Sequence, residues 1–148
     1  MTRKRIHLEG SWVIQAPRHE VYNIITDFEN MPKYFPSVAK SVRIISKEDN
    51  HLTLVAETKS FGLTFQVSMN TELQPPEWFV SENISTLGIE QEVFKMEEVP
   101  EGTKICYIND VEIKSPFFRI FGRFLIGWWA MKYWERAVII KLKQMLEE

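Results

Sequence analysis

The sequence predicts an α+β domain in which seven antiparallel strands wrap around one long C-terminal helix, in the order β-α-α-β6-α. Three observations predict it. The stretch from Ser115 to Glu148 has no proline after Pro116, and its apolar residues recur at threes and fours. Between Val38 and Ile113 the texture is instead one of short alternating runs separated by turn signals. Those runs follow one another directly rather than alternating with helices, which is the layout of an antiparallel sheet. The 148 residues are expected to form a single domain, residues 1–148, with no internal repeat, linker or low-complexity segment.

In chain order, Ile6, Leu8, Gly10, Trp12 and Ile14 alternate with polar neighbours, a first strand with one buried face. Ala16-Pro17 ends it. Val21, Ile24, Ile25 and Phe28 then share one face of a short helix from about Arg18 to Phe28. Asn30-Met31-Pro32 breaks that helix, and Lys33-Tyr34-Phe35 is a second, very short one closed by Pro36. Six strands follow. Val42-Arg43-Ile44 lies in the first and Leu52 to Ala56 in the second. Phe65, Val67, Met69, Thr71 and Leu73 form the cleanest alternation, and Pro75-Pro76 stops it. In the next strand Trp78, Val80 and Ile84 are expected on the inward face. Strands around Glu90–Met96 and Lys104–Ile113 flank the turn Pro100-Glu101-Gly102.

The last helix is expected from about Pro116 to Glu147, where proline suits the first turn because its missing N–H would be unpaired anyway. About 30 helical residues span about 45 Å. Its apolar stripe is Phe117, Ile120, Phe121, Phe124, Trp128, Met131, Val138, Leu142 and Met145, with Glu135 the single charged residue on it. A buried carboxylate is costly unless bonded. Glu135 therefore either bonds a sheet side chain or water, or contacts a ligand. The opposite side carries Ile126, Trp129, Tyr133 and Ile140, rimmed by Arg119, Arg123, Lys132 and Arg136. A contiguous apolar patch of that kind reads as a contact, either with a second copy of the chain or with an anionic membrane surface, unless the chain itself covers it.

Composition narrows the function classes. Ten Phe, five Trp and four Tyr suit a large core or a wide apolar cavity, and a formal net charge of −2 gives no field for nucleic acid. The single cysteine, Cys106, excludes an intrachain disulfide. No secretory signal or bilayer-length apolar run is visible, so the expected location is cytoplasmic, at most peripheral to a membrane. His7, His19 and His51 have no metal-ligand spacing, and no nucleophile or phosphate-loop motif occurs. No metal or cofactor is expected. Asp110 and Glu112 alternate outward from Val111 and Ile113 and read as a solvated pair.

The segment APRHEVYNIITDFENMPKYFPSV, Ala16 to Val38, together with LKQMLE, Leu142 to Glu147, resembles the START / polyketide cyclase / birch-pollen-allergen superfamily (SRPBCC). The carrying motifs are A-P-x-x-x-V-aromatic, then D-aromatic-acid, then P-x-aromatic-x-P. Within the superfamily the sequence is similar to polyketide cyclase/dehydrase-like and coenzyme Q-binding START-type proteins. The resemblance implies the helix-grip fold, with the sheet gripping the long helix around an apolar cavity. It does not fix one chemistry, because this fold hosts carriers, cyclases, hydrolases and regulators.

The inward faces supply the candidate ligand-binding residues. Phe65, Val67, Met69, Trp78, Tyr107 and Asn109 come from strands, and Phe124, Trp128, Met131 and Glu135 from the last helix. Tyr34 and Phe35 are expected at the entrance. Asn109 and Glu135 either meet one polar group of a ligand or hydrogen-bond each other. The expected function is binding or transport of a hydrophobic small molecule: a lipid, an isoprenoid quinone or a polyketide-like compound. The alternative is a cyclase or dehydratase using the same cavity, with Glu135, Asn109 or Tyr107 moving protons. A third class is a regulator that binds proteins through the last helix.

Overall fold

Side-chain alternation along seven segments becomes seven strands, and short turns make each antiparallel to its neighbour. The computed structural model of the chain describes residues 5–60, 63–114 and 131–147. The strands are β1 (Arg5–Ile14), β2 (Ser41–Glu48), β3 (His51–Ser60), β4 (Leu63–Gln74), β5 (Trp78–Ile84), β6 (Gly88–Val99) and β7 (Gly102–Ile113). They form one sheet in the order β1-β7-β6-β5-β4-β3-β2. Every pairing is antiparallel. Along β7 the alternation is strict: Thr103, Ile105, Tyr107, Asn109, Val111 and Ile113 are buried, and the residues between them are half-buried. β2, an edge strand, carries a register shift between Ile44 and Ser46 that leaves Ile45 exposed. Such a bulge makes an open edge a poor template for further pairing.

Two short helices close one end of the sheet. α1 (Arg18–Ile25) buries Val21, Tyr22 and Ile25. The Tyr22 hydroxyl donates to the Trp78 carbonyl at 3.0 Å, and the Thr103 hydroxyl donates to the Ala16 carbonyl at 2.7 Å. A 3₁₀ turn (Phe28–Asn30) leads into α2 (Met31–Tyr34). The first helix thus ends before Phe28, which is buried from the 3₁₀ turn instead.

The C-terminal helix, α3, is described over three contiguous segments: α-helical Met131–Trp134, π-helical Glu135–Ile139 and α-helical Ile140–Leu146. The expected stretch 116–130 lies outside the described residues, as do Phe124 and Trp128. Val138 and Leu142 of the expected stripe are buried, together with Ala137 and Ile139, whereas Met145, three residues after Leu142 in the same α-helical segment, is 37% exposed. Trp134, absent from that stripe, packs at 4.3 Å between centroids on Tyr107, 5.4 Å from Phe94 and 5.1 Å from Trp12. Gly10 permits the close approach of β1 to α3, since a Cβ there would lie 2.9 Å from the Met131 methyl carbon. No helix among the described residues is long and apolar enough to cross a membrane.

His7 on β1 lies between Asp110 Oδ1 at 2.6 Å and Glu9 Oε2 at 3.1 Å, on the solvent side of the sheet. Asp110 is therefore half of an exposed pair with His7 rather than of a dyad with Glu112. The hydrogen bond to Asp110, then that to Glu9, raises the imidazole pKa.

The difference in burial between Leu142 and Met145 has a direct consequence for stability. Leu142→Ala should cost about 2–5 kcal/mol in urea unfolding, and Met145→Ala less than about 0.5 kcal/mol. Equal losses at the two positions would mean that Met145 is buried as deeply as Leu142.

Candidate functional site

One helix cannot fill the concave face of seven strands, and the space left over is a cavity of about 470 Å³. β3 contributes Ala56 and Thr58, and β4 contributes Phe65, Val67 and Met69. β5 and β6 add Phe79, Asn83, Glu90, Glu92 and Phe94, and β7 adds Tyr107, Asn109, Val111 and Ile113. Met131, Trp134, Ala137 and Val138 of α3 form the opposite wall. By register, the strand residues other than Phe79 and Phe94 lie toward the β3–β4 and β5–β6 connections. The other end is closed by the α1 contacts and the Phe28–Phe79–Phe94 ring cluster. At the cavity's margin the exposed Tyr133 donates its hydroxyl to the Ser37 carbonyl at 2.7 Å, beside Lys59.

The apolar walls carry one polar strip, which runs across four adjacent strands. Ser81 donates its hydroxyl to Asn83 Oδ1 at 2.7 Å, which leaves Thr71 as donor in the 2.9 Å bond between the two hydroxyls. With its oxygen occupied by Ser81, Asn83 turns its NH₂ toward the carboxylates. It donates to Glu92 Oε1 and, at 3.4 Å, to Glu90 Oε2. From the far side the Tyr107 hydroxyl donates to Glu92 Oε2 at 2.7 Å. Asn109 is 5% exposed, and its Oδ1 has no hydrogen-bond partner. Native structures rarely leave a buried oxygen unbonded.

Two carboxyls in this setting cannot both ionise freely. Burial pushes Glu90 up from 4.5 to about 7, the neighbouring Glu92 charge adds to the rise, and the amides of Asn83 and Asn109 oppose it. Burial raises Glu92 as well, against the bonds from Tyr107 and Asn83. Glu92 has the two shorter hydrogen bonds, which favour the charge there over Glu90, and the pair titrates as a unit. Burial, then the Glu92 and Glu90 charges, drives the Tyr107 hydroxyl well above its usual value of 10. Tyr107 is therefore a fixed donor. Glu90 and Glu92 are half-buried by area because part of each faces the cavity rather than bulk water.

The structure brings Phe35, Phe65, Val67, Met69, Tyr107, Asn109 and Met131 onto the cavity. Three others lie elsewhere. Tyr34 is off the wall, its hydroxyl 3.4 Å from Asp27 Oδ2. Trp78 falls on the opposite phase of β5, whose inward residues are Phe79, Ser81 and Asn83. Val80 shares that outward phase. Glu135 sits half-buried in the π segment away from the cavity, and no hydrogen bond among the described residues joins it to Asn109. Tyr133, expected on the outer side of α3, lines the cavity, while Ile140 is exposed. Trp129 and Ile126 are outside the described residues. Glu90 and Glu92 were not expected. The signal for them was strand phase: with Phe94 and Met96 inward, period two places Glu92 and Glu90 inward as well. Among the described residues no group of three or more His, Cys, Asp and Glu could hold a metal ion.

Comparison with known proteins gives the same architecture. The family model described as "Polyketide cyclase / dehydrase and lipid transport" matches residues 14–128. Comparison with curated proteins finds no match. Among solved structures, the chain superposes on the di-domain ARO/CYC BexL from the BE-7585A biosynthetic pathway with a TM-score of 0.81 at 16% identity, covering 97% of this chain and 50% of that one. It therefore spans half of that protein. A START superfamily protein from Mycobacterium smegmatis matches with a TM-score of 0.74 at 17% identity over 97% of both chains. The Zhui aromatase/cyclase from Streptomyces sp. R1128 matches at 0.70 and 14% identity, covering 76% of this chain and 70% of that one. At these identities the likeness is one of fold.

Because Glu90 and Glu92 bind protons more tightly folded than unfolded, their contribution to stability is whole below the ordinary carboxyl value of 4.5 and is lost as pH rises through about 7. Between roughly pH 5 and pH 8 the urea midpoint of the parent should fall relative to that of the Glu90→Gln, Glu92→Gln double variant. Parallel profiles would mean that both carboxyls titrate normally.

Proposed function

The chain belongs to the polyketide cyclase / dehydrase and lipid transport family, and on that footing we propose that it binds an elongated, mostly apolar small molecule between sheet and α3. The polar end of that molecule lies at Glu90, Glu92 and Asn109, and its body lies along Phe65, Val67, Met69 and Met131. The observation that carries this reading is a cavity of about 470 Å³ whose polar groups are gathered on one strip. A site with apolar walls and a few convergent polar groups orients a ligand while burying most of its surface. The ligand class is a lipid, an isoprenoid quinone or a polyketide-like compound, and the domain carries it rather than consuming it.

One observation favours a second reading, a cyclase or dehydratase. Glu90, with a pKa of about 7 beside the more strongly bonded Glu92, forms a carboxyl pair able to give and take a proton near neutral pH. In that case Glu90 is the acid or base, Tyr107 and Asn109 hold a substrate oxygen, and the cavity shape sets the fold of the substrate chain.

Native mass spectrometry of the protein purified from its own host, followed by organic extraction, tests the reading. A co-purifying apolar species supports the carrier; an empty protein whose melting temperature no lipophilic probe raises contradicts it. Val67→Trp should fill the cavity and weaken such a probe at least about tenfold while circular dichroism stays unchanged. Turnover of a poly-β-keto substrate, lost in Glu90→Gln, would instead establish the enzyme.

A further inference from the structure

The polar strip of the cavity is rich in acceptors and poor in donors. Glu90 and Glu92 bring two carboxyl groups, and Asn109 adds an Oδ1 that nothing satisfies. Against these stand the Tyr107 hydroxyl and the Asn83 amide, both on Glu92, with Asn83 reaching Glu90 at 3.4 Å, and the Asn109 amide, which also acts on Glu90. Among the described residues, β5, β6, β7 and α3 put no Lys, Arg or His on the cavity wall. β5 offers Asn83, β7 offers Tyr107 and Asn109, and α3 presents Met131, Trp134 and Ala137. Lys59 and Tyr133 face the same cavity beside Ser37, Val38 and Ala39. No Lys, Arg or His among the described residues hydrogen-bonds or pairs with either carboxyl. A buried carboxylate without a cation is expensive, and the expense is relieved when a cation arrives with donors.

We propose that the ligand is an amphiphile with a cationic, hydrogen-bond-donating end, an ammonium group on an apolar skeleton, seated with its N–H groups on Glu90, Glu92 and Asn109 Oδ1. This deepens the binding reading above and rests on it. An ammonium supplies three donors, enough for the two carboxylates and the orphaned amide oxygen. Charge stays balanced on binding: the ligand cation enters, and the proton held by Glu90 leaves to solvent. At the strip an anionic headgroup meets two carboxyl groups and the unbonded Asn109 oxygen, which disfavour it.

Three probes of equal chain length separate the alternatives by isothermal titration at about neutral pH: octylammonium, 1-octanol and octanoate. Octylammonium should bind at least about tenfold more tightly than 1-octanol, and octanoate most weakly. Heats compared in two buffers of different ionisation enthalpy should show proton release with octylammonium alone. Its advantage should shrink as pH is lowered and the two carboxyls take up protons. In the Glu90→Gln, Glu92→Gln double variant the preference should vanish while 1-octanol still binds. If that variant does not fold, the pH dependence of the parent decides. Equal or tighter binding of 1-octanol, or a preference for octylammonium that survives in the double variant or at low pH, overturns the cationic ligand and leaves the apolar site standing. Failure of all three probes to bind overturns the binding reading itself.

Discussion

The structure rests on a mismatch of widths. Seven strands at about 4.8 Å spacing make a face about 29 Å across, and a helix with its side chains is only about 10–12 Å wide. A sheet whose concave face is apolar must be covered, yet α3 covers only part of it. α3 grips where the aromatic side chains are: Trp134 lies on Tyr107 and near Phe94 and Trp12, and Phe94 continues the stack to Phe79 at 4.7 Å. Toward the β3–β4 and β5–β6 connections lies the cavity, walled by side chains of several strands and of α3 rather than by any single residue.

Into that space the sheet directs its most expensive groups. Thr71, Ser81, Asn83, Glu92 and Tyr107 form a line of bonds with a consistent direction, each neutral donor feeding toward the Glu92 carboxylate. Leaving any one member unpaired costs more than the bond itself contributes. A network of this kind fixes side-chain orientation, so the cavity's polar strip is held ready before a ligand arrives. What the line does not satisfy is equally informative. Burial, then the Glu92 charge, holds the Glu90 carboxyl above its ordinary value, and Asn109 keeps an unbonded oxygen. Both lie on the cavity wall, where an incoming molecule can supply what the protein lacks.

The order of elements was legible because hairpin-joined alternating runs and one proline-free amphipathic stretch each follow a single period. The site was less so, for two reasons. On β5 the residues Trp78, Val80 and Ile84 outweigh Phe79, Ser81 and Asn83 in hydrophobicity, so counting apolar side chains selects the wrong phase, and a slip of one residue reverses the strand. On β6 the inward positions are Glu90 and Glu92, and carboxylates read as solvated unless the phase is carried back from Phe94 and Met96. On α3, Trp134 follows Met131 by three residues and takes the place on the aromatic cluster beside the expected Glu135, which stays off the wall. Asn109 was legible because β7 keeps its alternation without interruption. Each miss falls where the chain departs from apolar-inside packing, and those departures make up the site.

The claim on which the account turns is that two glutamates share one cavity wall and that no Lys, Arg or His among the described residues pairs with either. Carbon-detected nuclear magnetic resonance of the glutamate side-chain carboxyls over a pH series measures this directly, with Glu90→Gln and Glu92→Gln used to assign the signals. The account predicts two carboxyl signals that titrate late, both above the ordinary value of 4.5 and each shifted when the other is replaced. Titration of both near 4.5, independently of one another, would contradict it.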